Sequence, residues 1–199
     1  VMSCTLSAGG SLQWFRNQFC MPEMQTAQGM QTDPYILMDR QAEKIPAGAD
    51  KLLFLPYLMG ERSPILDSDA RGMFFGLSGI HTRQHMLRAV MEGVIYSQRQ
   101  CLDILREMRM SSTQLLVTGG GGKSKLWRQM LSDILCVPSA TVGNTEGPAL
   151  GAAILAGTGT GLFTSIQDAC ENMIIVDKLQ QPETEQSKVY EKYYQLYIQ

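Results

Sequence analysis

The sequence predicts an α/β fold, and three observations carry that prediction. Apolar runs of strand length, 52-LLFLPYL-58, 114-QLLVT-118 and 139-SATV-142, alternate with stretches whose apolar residues recur every three to four positions. Four glycines, Gly119 to Gly122, join one of these strands directly to an amphipathic helix. The chain has 199 residues, 44% hydrophobic and 18% charged, which suffices for one sizeable domain and is the composition of an ordinary globular protein. Strands interleaved with helices give a sheet flanked by helices.

The elements follow in order. The first residues are apolar and β-prone, and Gly9-Gly10 lead into a helix carrying Leu12, Trp14, Phe15 and Phe19. A beginning this hydrophobic reads as the middle of a structure. Residues 20–50 are polar and carry Pro22, Pro34 and Pro46, so they read as a connector with a short helix near 39–44. The run 52–58 is continuously apolar and closed by Pro56, consistent with a buried strand. The segment 59–78 mixes Gly, Pro, Asp and Arg with apolar pairs and reads as a long loop, a kind of segment that often carries function. From Thr82, a fitting N-cap, a helix runs to about Met108 on the stripe Met86, Val90, Val94, Cys101, Leu105 and Met108. Residues 114–118 form a strand, the glycines a turn, 124–136 a helix, and 139–142 a short strand. The helix 147–157 has Pro148 in its first turn, where proline is tolerated. A short helix at 166–174 follows, and the tail 183–199 docks through Val189, Tyr193, Leu196 and Tyr197.

Composition excludes several classes. A net charge of -2 gives no electrostatic case for nucleic acid. No apolar run approaches the roughly 20 residues a membrane span needs. The five cysteines (Cys4, Cys20, Cys101, Cys136, Cys170) show no C-x-x-C or Cys/His ligand spacing, so they read as buried, reduced thiols of a cytoplasmic protein rather than a metal site. The thirteen methionines form no single helical stripe and read as core filling.

The stretch 117-VTGGGGKSKLW-127 is the point where chemistry enters. Its Gly-Lys-Ser would close a P-loop, but that motif needs a glycine where Val117 stands. The G-x-G-x-x-G pattern fails as well, with Ser124 or Lys125 in its last slot. What remains is strand, glycines, helix, a geometry that lets backbone approach a ligand closely and offers N–H groups at the helix start near Ser124. A tight strand-to-helix turn needs only one or two glycines, and four exceed that need. The small residues of helix 147–157 leave it bare, so either another backbone or a ligand can lie against it.

Several motifs then match one family. The segment Gly72 to Glu92, GMFFGLSGIHTRQHMLRAVME, resembles a signature of the FGGY carbohydrate kinases, with Gly72, Gly76, His85, Ala89 and Glu92 at the family's spacing. GGGGKS is similar to that family's adenosine loop, with Gly122 where alanine is usual. EGPALGAA resembles the helix after it, and LLFLPYLMGERSP resembles the xylulokinase branch. The resemblance runs from about Thr5 to the C-terminal tail.

The resemblance implies an actin-like, ribonuclease-H-like ATPase domain with a mixed sheet flanked by helices, spanning 1–199 as the C-terminal, nucleotide-binding half of a two-domain kinase. It implies ATP with Mg2+ as cosubstrate, a sugar acceptor of the xylulose kind, and an N-terminal domain carrying the sugar site and the catalytic aspartate, so no catalytic residue is assigned here. Charge and hydropathy give no case for a nucleic-acid or membrane partner, and a homodimer is left open. By position, Gly120 and Ser124 match the adenine-contacting loop, with Gly121, Gly122 and Lys123 beside them. Gly9 and Gln13 match a glycine and glutamine that approach the nucleotide. Lys123 is not expected to act as a P-loop lysine, and no metal ligands are assigned. The tempting residues His81, His85, Glu61, Arg62 and Glu92 read as structural: capping or surface for the histidines, a loop-fixing ion pair for Glu61 and Arg62, and a buried acceptor for Glu92. Other acceptors of the same family (gluconate, ribulose), or a non-catalytic actin-like nucleotide-binding module, are the competing readings.

Overall fold

The computed structural model describes residues 3–143, 147–177 and 179–199. The first helix, α1 (Ala8–Phe19), is followed by α2 (Met21–Gly29) and α3 (Pro34–Ala42), then β1 (Leu53–Leu55) and β2 (Met73–Phe75). The long helix α4 (Arg83–Glu107) leads to β3 (Leu115–Val117), α5 (Lys125–Leu135) and β4 (Ser139–Thr141). Then come α6 (Gly147–Gly159), α7 (Ile166–Met173) and α8 (Thr184–Tyr197).

The α/β class holds, with the sheet in two small pieces. β1 and β2 pair antiparallel, and β3 and β4 pair parallel, with α5 as their crossover. Both parts are organised by α4. Its buried stripe includes Leu87, Val90, Met91, Val94 and Ile95, and it packs on β1, α1, α3 and α5. At Gly93 the approach is closest. A Cβ there would lie 2.0 Å from the carbonyl oxygen of Phe54, so only glycine lets the strand backbone rest on the helix.

Three expectations change. The stretch 20–50 is not a connector with one short helix near 39–44, because it holds the whole of α2 and α3. Pro22 and Pro34 stand in the first turn of their helices, where the missing N–H has no partner to lose, and the Asp33 carboxylate caps α3 by accepting the Tyr35 N–H at 3.0 Å. The strand 52–58 shortens to Leu53–Leu55, and the long loop contains a strand of its own, β2, that pairs with it. The docking face of α8 keeps Tyr197 and the partly buried Tyr193 of the expected stripe, adds the buried Tyr190 and Tyr194, and leaves Leu196 50% exposed. A tyrosine body fills apolar space, and its hydroxyl can satisfy buried polar groups that leucine cannot.

The buried polar groups explain that choice. The Tyr190 hydroxyl accepts from Arg88 Nη2 at 2.5 Å, and Arg88 Nε donates to Glu92 at 2.6 Å. Glu92, 1% exposed, also accepts the Gly48 N–H at 3.1 Å, so it is the buried acceptor its place on the helix implies. Burial drives the Glu92 carboxyl above its ordinary range, with Arg88 pulling the other way. The Tyr194 hydroxyl donates to Asp103 at 2.7 Å, and Arg99 lies over its ring at 4.0 Å.

The five cysteines are free thiols, but only Cys20 and Cys101 are buried, while Cys4 and Cys136 are exposed. Cys136 sits in the left-handed position that ends α5, at φ 53, and its thiol donates to the Asp133 carbonyl. The methionines divide likewise. Met38, Met91 and Met130 fill the core, whereas Met21, Met30 and Met59 stand at the surface. No helix among the described residues is long and apolar enough to cross a membrane.

Candidate functional site

The glycine run is built from four different local demands. β3 ends at Val117, and Gly119 takes φ 82, a left-handed value that glycine adopts without strain. Gly120 to Lys123 then form one 3-10 turn, and Ser124 caps α5 by accepting the Trp127 N–H at 3.0 Å. A Cβ on Gly120 would meet nothing within 4 Å. On Gly121 it would lie 2.9 Å from the Trp127 ring, and on Gly122 3.3 Å from the Val117 carbonyl oxygen. So Gly121 makes room for the tryptophan, Gly122 packs on the strand, and Gly120 alone of these three faces open space. The Trp127 ring is held in turn by its Nε1–H, which donates to the Met91 carbonyl at 3.0 Å.

Two adjoining hollows meet at this loop. One, of about 290 Å³, lies between the loop and the helices α1 and α3. Its walls are Gly9, Leu12, Tyr35 and Ile36 on one side, and Gly120, Gly121, Ser124 and Trp127 on the other. Asp33, Asp39 and Lys123 complete it. The second, of about 260 Å³, passes between α1, α4 and the loop, with Ala8, Ile95, Gln98, Arg128 and Leu131. Gly9, Gly120, Gly121 and Trp127 belong to both, so the two form one groove across the glycine turn. Each volume lies near the lower bound for a small-molecule site, and both walls combine apolar surface with a few polar groups.

Of the residues singled out from sequence, the fold brings Gly9, Gly120, Gly121, Gly122, Lys123 and Ser124 to this groove. Gln13 stands one helical turn beyond Gly9, exposed, and lines neither hollow. The small-residue helix α6 lines neither hollow and has α7 as its main neighbour. Glu146, which opens the motif before α6, lies outside the described residues. At the helix start the Ser124 hydroxyl takes up the Trp127 N–H, and Asp33, Asp39 and Lys123 share the hollow.

The electrostatics of that hollow centre on Asp39. Burial pushes its carboxyl above the ordinary range, a hydrogen bond with the Ser124 side chain pulls it down, and Asp33 and Glu43 push it up again. Burial also raises the Tyr35 phenol, whose ring lies 5.0 Å from the Arg16 guanidinium carbon. Among the described residues, no cluster of three or more His, Cys, Asp or Glu side chains is arranged to hold a metal ion.

The sequence reading missed Tyr35, Ile36, Asp39 and Trp127. The first three were hidden by reading 20–50 as a connector. The pair Asp33-Pro34, an N-cap followed by a proline at the first helical position, is the signal that marks α3. The other tempting residues are structural. His85 Nδ1 accepts the Thr82 N–H at 3.1 Å, closing the cap of α4, and His85 Nε2 and His81 Nε2 hold Asp50, each at 3.1 Å. Asp50 itself has φ 52 in a left-handed turn. The expected ion pair between Glu61 and Arg62 does not form. Glu61 is buried and accepts the backbone N–H of Arg62 at 2.8 Å and of Leu6 at 2.9 Å, which fixes the loop through backbone instead.

Comparison with known proteins adds a family match. The family described as the FGGY family of carbohydrate kinases, C-terminal domain, matches residues 1–160. A xylulose kinase of Bacillus subtilis (strain 168) is 38% identical over 198 residues, covering 98% of this chain and 37% of the relative. A gluconokinase of Bacillus licheniformis is 38% identical over 193 residues, covering 96% and 37%. Among solved structures, the ligand-bound xylulose kinase from Lactobacillus acidophilus superposes with a TM-score of 0.84 at 31% identity, over 98% of this chain and 37% of that one. The chain thus spans little more than a third of the length of these relatives.

Proposed function

Because the chain belongs to the FGGY family of carbohydrate kinases, matching its C-terminal domain, we propose that its groove is the adenosine half of the nucleotide site of an ATP-dependent sugar kinase. The observation that carries this reading is the groove itself, with Gly9 and Gly120 on facing walls and Trp127 spanning both hollows. An open glycine wall admits a flat ring face, and Leu12, Ile36 and Trp127 offer the apolar surface such a ring needs. The reaction assigned to the whole kinase is transfer of the ATP γ-phosphoryl to xylulose, giving xylulose 5-phosphate and ADP. Mg2+ would arrive with the phosphates and neutralise charge that develops there.

In this reading the chain grips adenosine and forms one wall of a cleft. The acceptor, the catalytic carboxylate and the sugar contacts are assigned to an N-terminal domain. Phosphoryl transfer depends on holding donor, acceptor and base in line, so a fixed adenosine contributes positioning rather than bond chemistry. The relatives named xylulose kinase support xylulose as acceptor, and those named gluconokinase support gluconate as the second reading. The five free thiols fit a reducing, cytoplasmic setting, which we propose with the same reading.

The test is an ADP-release assay on the kinase that carries this chain, with MgATP and either xylulose or gluconate. Xylulose-dependent release well above the gluconate rate supports the proposal. A gluconate preference moves the acceptor to the second reading. Release with no sugar in a broad panel of ketoses and sugar acids would point to a non-catalytic nucleotide-binding module.

A further inference from the structure

We propose that Asp39, together with Ser124, reads the exocyclic amine of adenine, so that the groove prefers a 6-aminopurine nucleoside to purines lacking that amine. The inference rests on the adenosine reading of the groove and adds a specificity residue to it.

Asp39 is poorly placed for stability. It lies near the C-terminal end of α3, where the helix dipole disfavours negative charge. Among the described residues no Lys, Arg or His forms an ion pair with it, and its charged neighbours Asp33 and Glu43 carry the same sign. A half-buried carboxylate in such a setting costs folding energy unless something donates to it. Ser124 lines the same hollow, with its hydroxyl accepting the Trp127 N–H. Asp33 is less free to serve a ligand, because its Oδ1 already holds the Tyr35 N–H at 3.0 Å.

The hollow also limits what the donor can be. Two carboxylates against the single Lys123 ammonium leave the hollow net negative, which disfavours phosphate and favours the neutral part of a nucleotide. Leu12, Ile36 and Trp127 form apolar walls around the acceptors, a setting for a ring whose face is covered and whose edge is read. The edge of adenine carries an amine, which donates to a carboxylate. Purine riboside has no donor at that position.

Isothermal titration of the 199-residue chain with adenosine, purine riboside and 2′-deoxyadenosine tests this. The unmodified chain should bind adenosine about tenfold more tightly than purine riboside, the scale of one hydrogen bond to a charged group, and 2′-deoxyadenosine about as well as adenosine. Asp39→Ala should level adenosine and purine riboside while melting no lower than the unmodified chain. Asp39→Asn, which keeps a carbonyl acceptor, should retain part of the preference. Equal binding of adenosine and purine riboside by the unmodified chain, or an Asp39→Ala variant that keeps the preference, overturns the assignment. A loss seen with 2′-deoxyadenosine but not with purine riboside would mean that the ribose is read, and would overturn it too. Absence of binding by any nucleoside would instead remove the adenosine groove, and the role of Asp39 with it.

Discussion

At the scale of single residues, adjacent glycines have separable jobs. Gly120 faces open groove, whereas a side chain on Gly121 would strike the Trp127 ring at 2.9 Å. Gly120→Val should therefore keep the melting temperature close to that of the unmodified protein and raise the KM for ATP of the whole kinase tenfold or more. Gly121→Val should lower the melting temperature, because Trp127 must leave its bond to Met91. The reverse pattern would show that Gly121, not Gly120, is the approach wall. Asp39 gives a pH signature. Its folded carboxyl lies above the ordinary value of 3.8, so the folded state binds the proton more tightly than the unfolded one. The destabilisation is absent below 3.8 and fully present once the pH exceeds the raised folded value. Denaturant unfolding from pH 3 to 7 should show the unmodified chain losing ground to Asp39→Asn as the pH rises through that window. A constant difference would mean that Asp39 is not perturbed.

Elements raise a different question, which face of a helix does the packing. For α8 the answer is the tyrosine stripe. Tyr194 is 4% exposed, with Arg99 over its ring and Asp103 on its hydroxyl, and Leu196 is 50% exposed. Tyr194→Ala should cost about 3–5 kcal/mol in urea unfolding, as aromatic truncations in cores do, and Leu196→Ala less than about 0.5 kcal/mol. Comparable losses from the two would return the docking face to the stripe that apolar spacing alone selects. That spacing misleads here because tyrosine counts as only half apolar, yet it is the residue that can serve Arg88, Asp103 and Tyr57 at once with filling space. The same reasoning explains α2 and α3, where prolines that look like breakers are first-turn residues.

Over the whole molecule, the charge of the groove sets what it can hold. Asp33 and Asp39 outnumber Lys123 in the hollow where the base is proposed to lie, and Arg128 lines the adjoining hollow. Adenosine and ATP should accordingly bind this 199-residue chain within a few-fold of one another, as seen by titration at moderate salt. ATP bound a hundredfold more tightly than adenosine would place a phosphate site within these residues. The same chain, given xylulose and MgATP, should release ADP at the blank rate, since the acceptor and the catalytic carboxylate are assigned to another domain.

The sequence by itself determined the α/β class, the long helix from Thr82, the strand–glycine–helix unit and the family, because periodicity, caps and motif spacing are local properties. It also pointed to the glycine run, of which the fold leaves Gly120 facing the open groove while Gly121 and Gly122 meet packing demands. Only the tertiary structure decided what faces that wall. Tyr35, Ile36 and Asp39 reach the groove because α3 packs on α4 about eighty residues from the glycines, and no local pattern encodes that approach. The division of labour among Gly120, Gly121 and Gly122 was likewise invisible in the chain, because it depends on where the Trp127 ring and the Val117 carbonyl come to rest. Proximity across the core is set by burial summed over many side chains, and a single sequence shows those side chains without showing their neighbours.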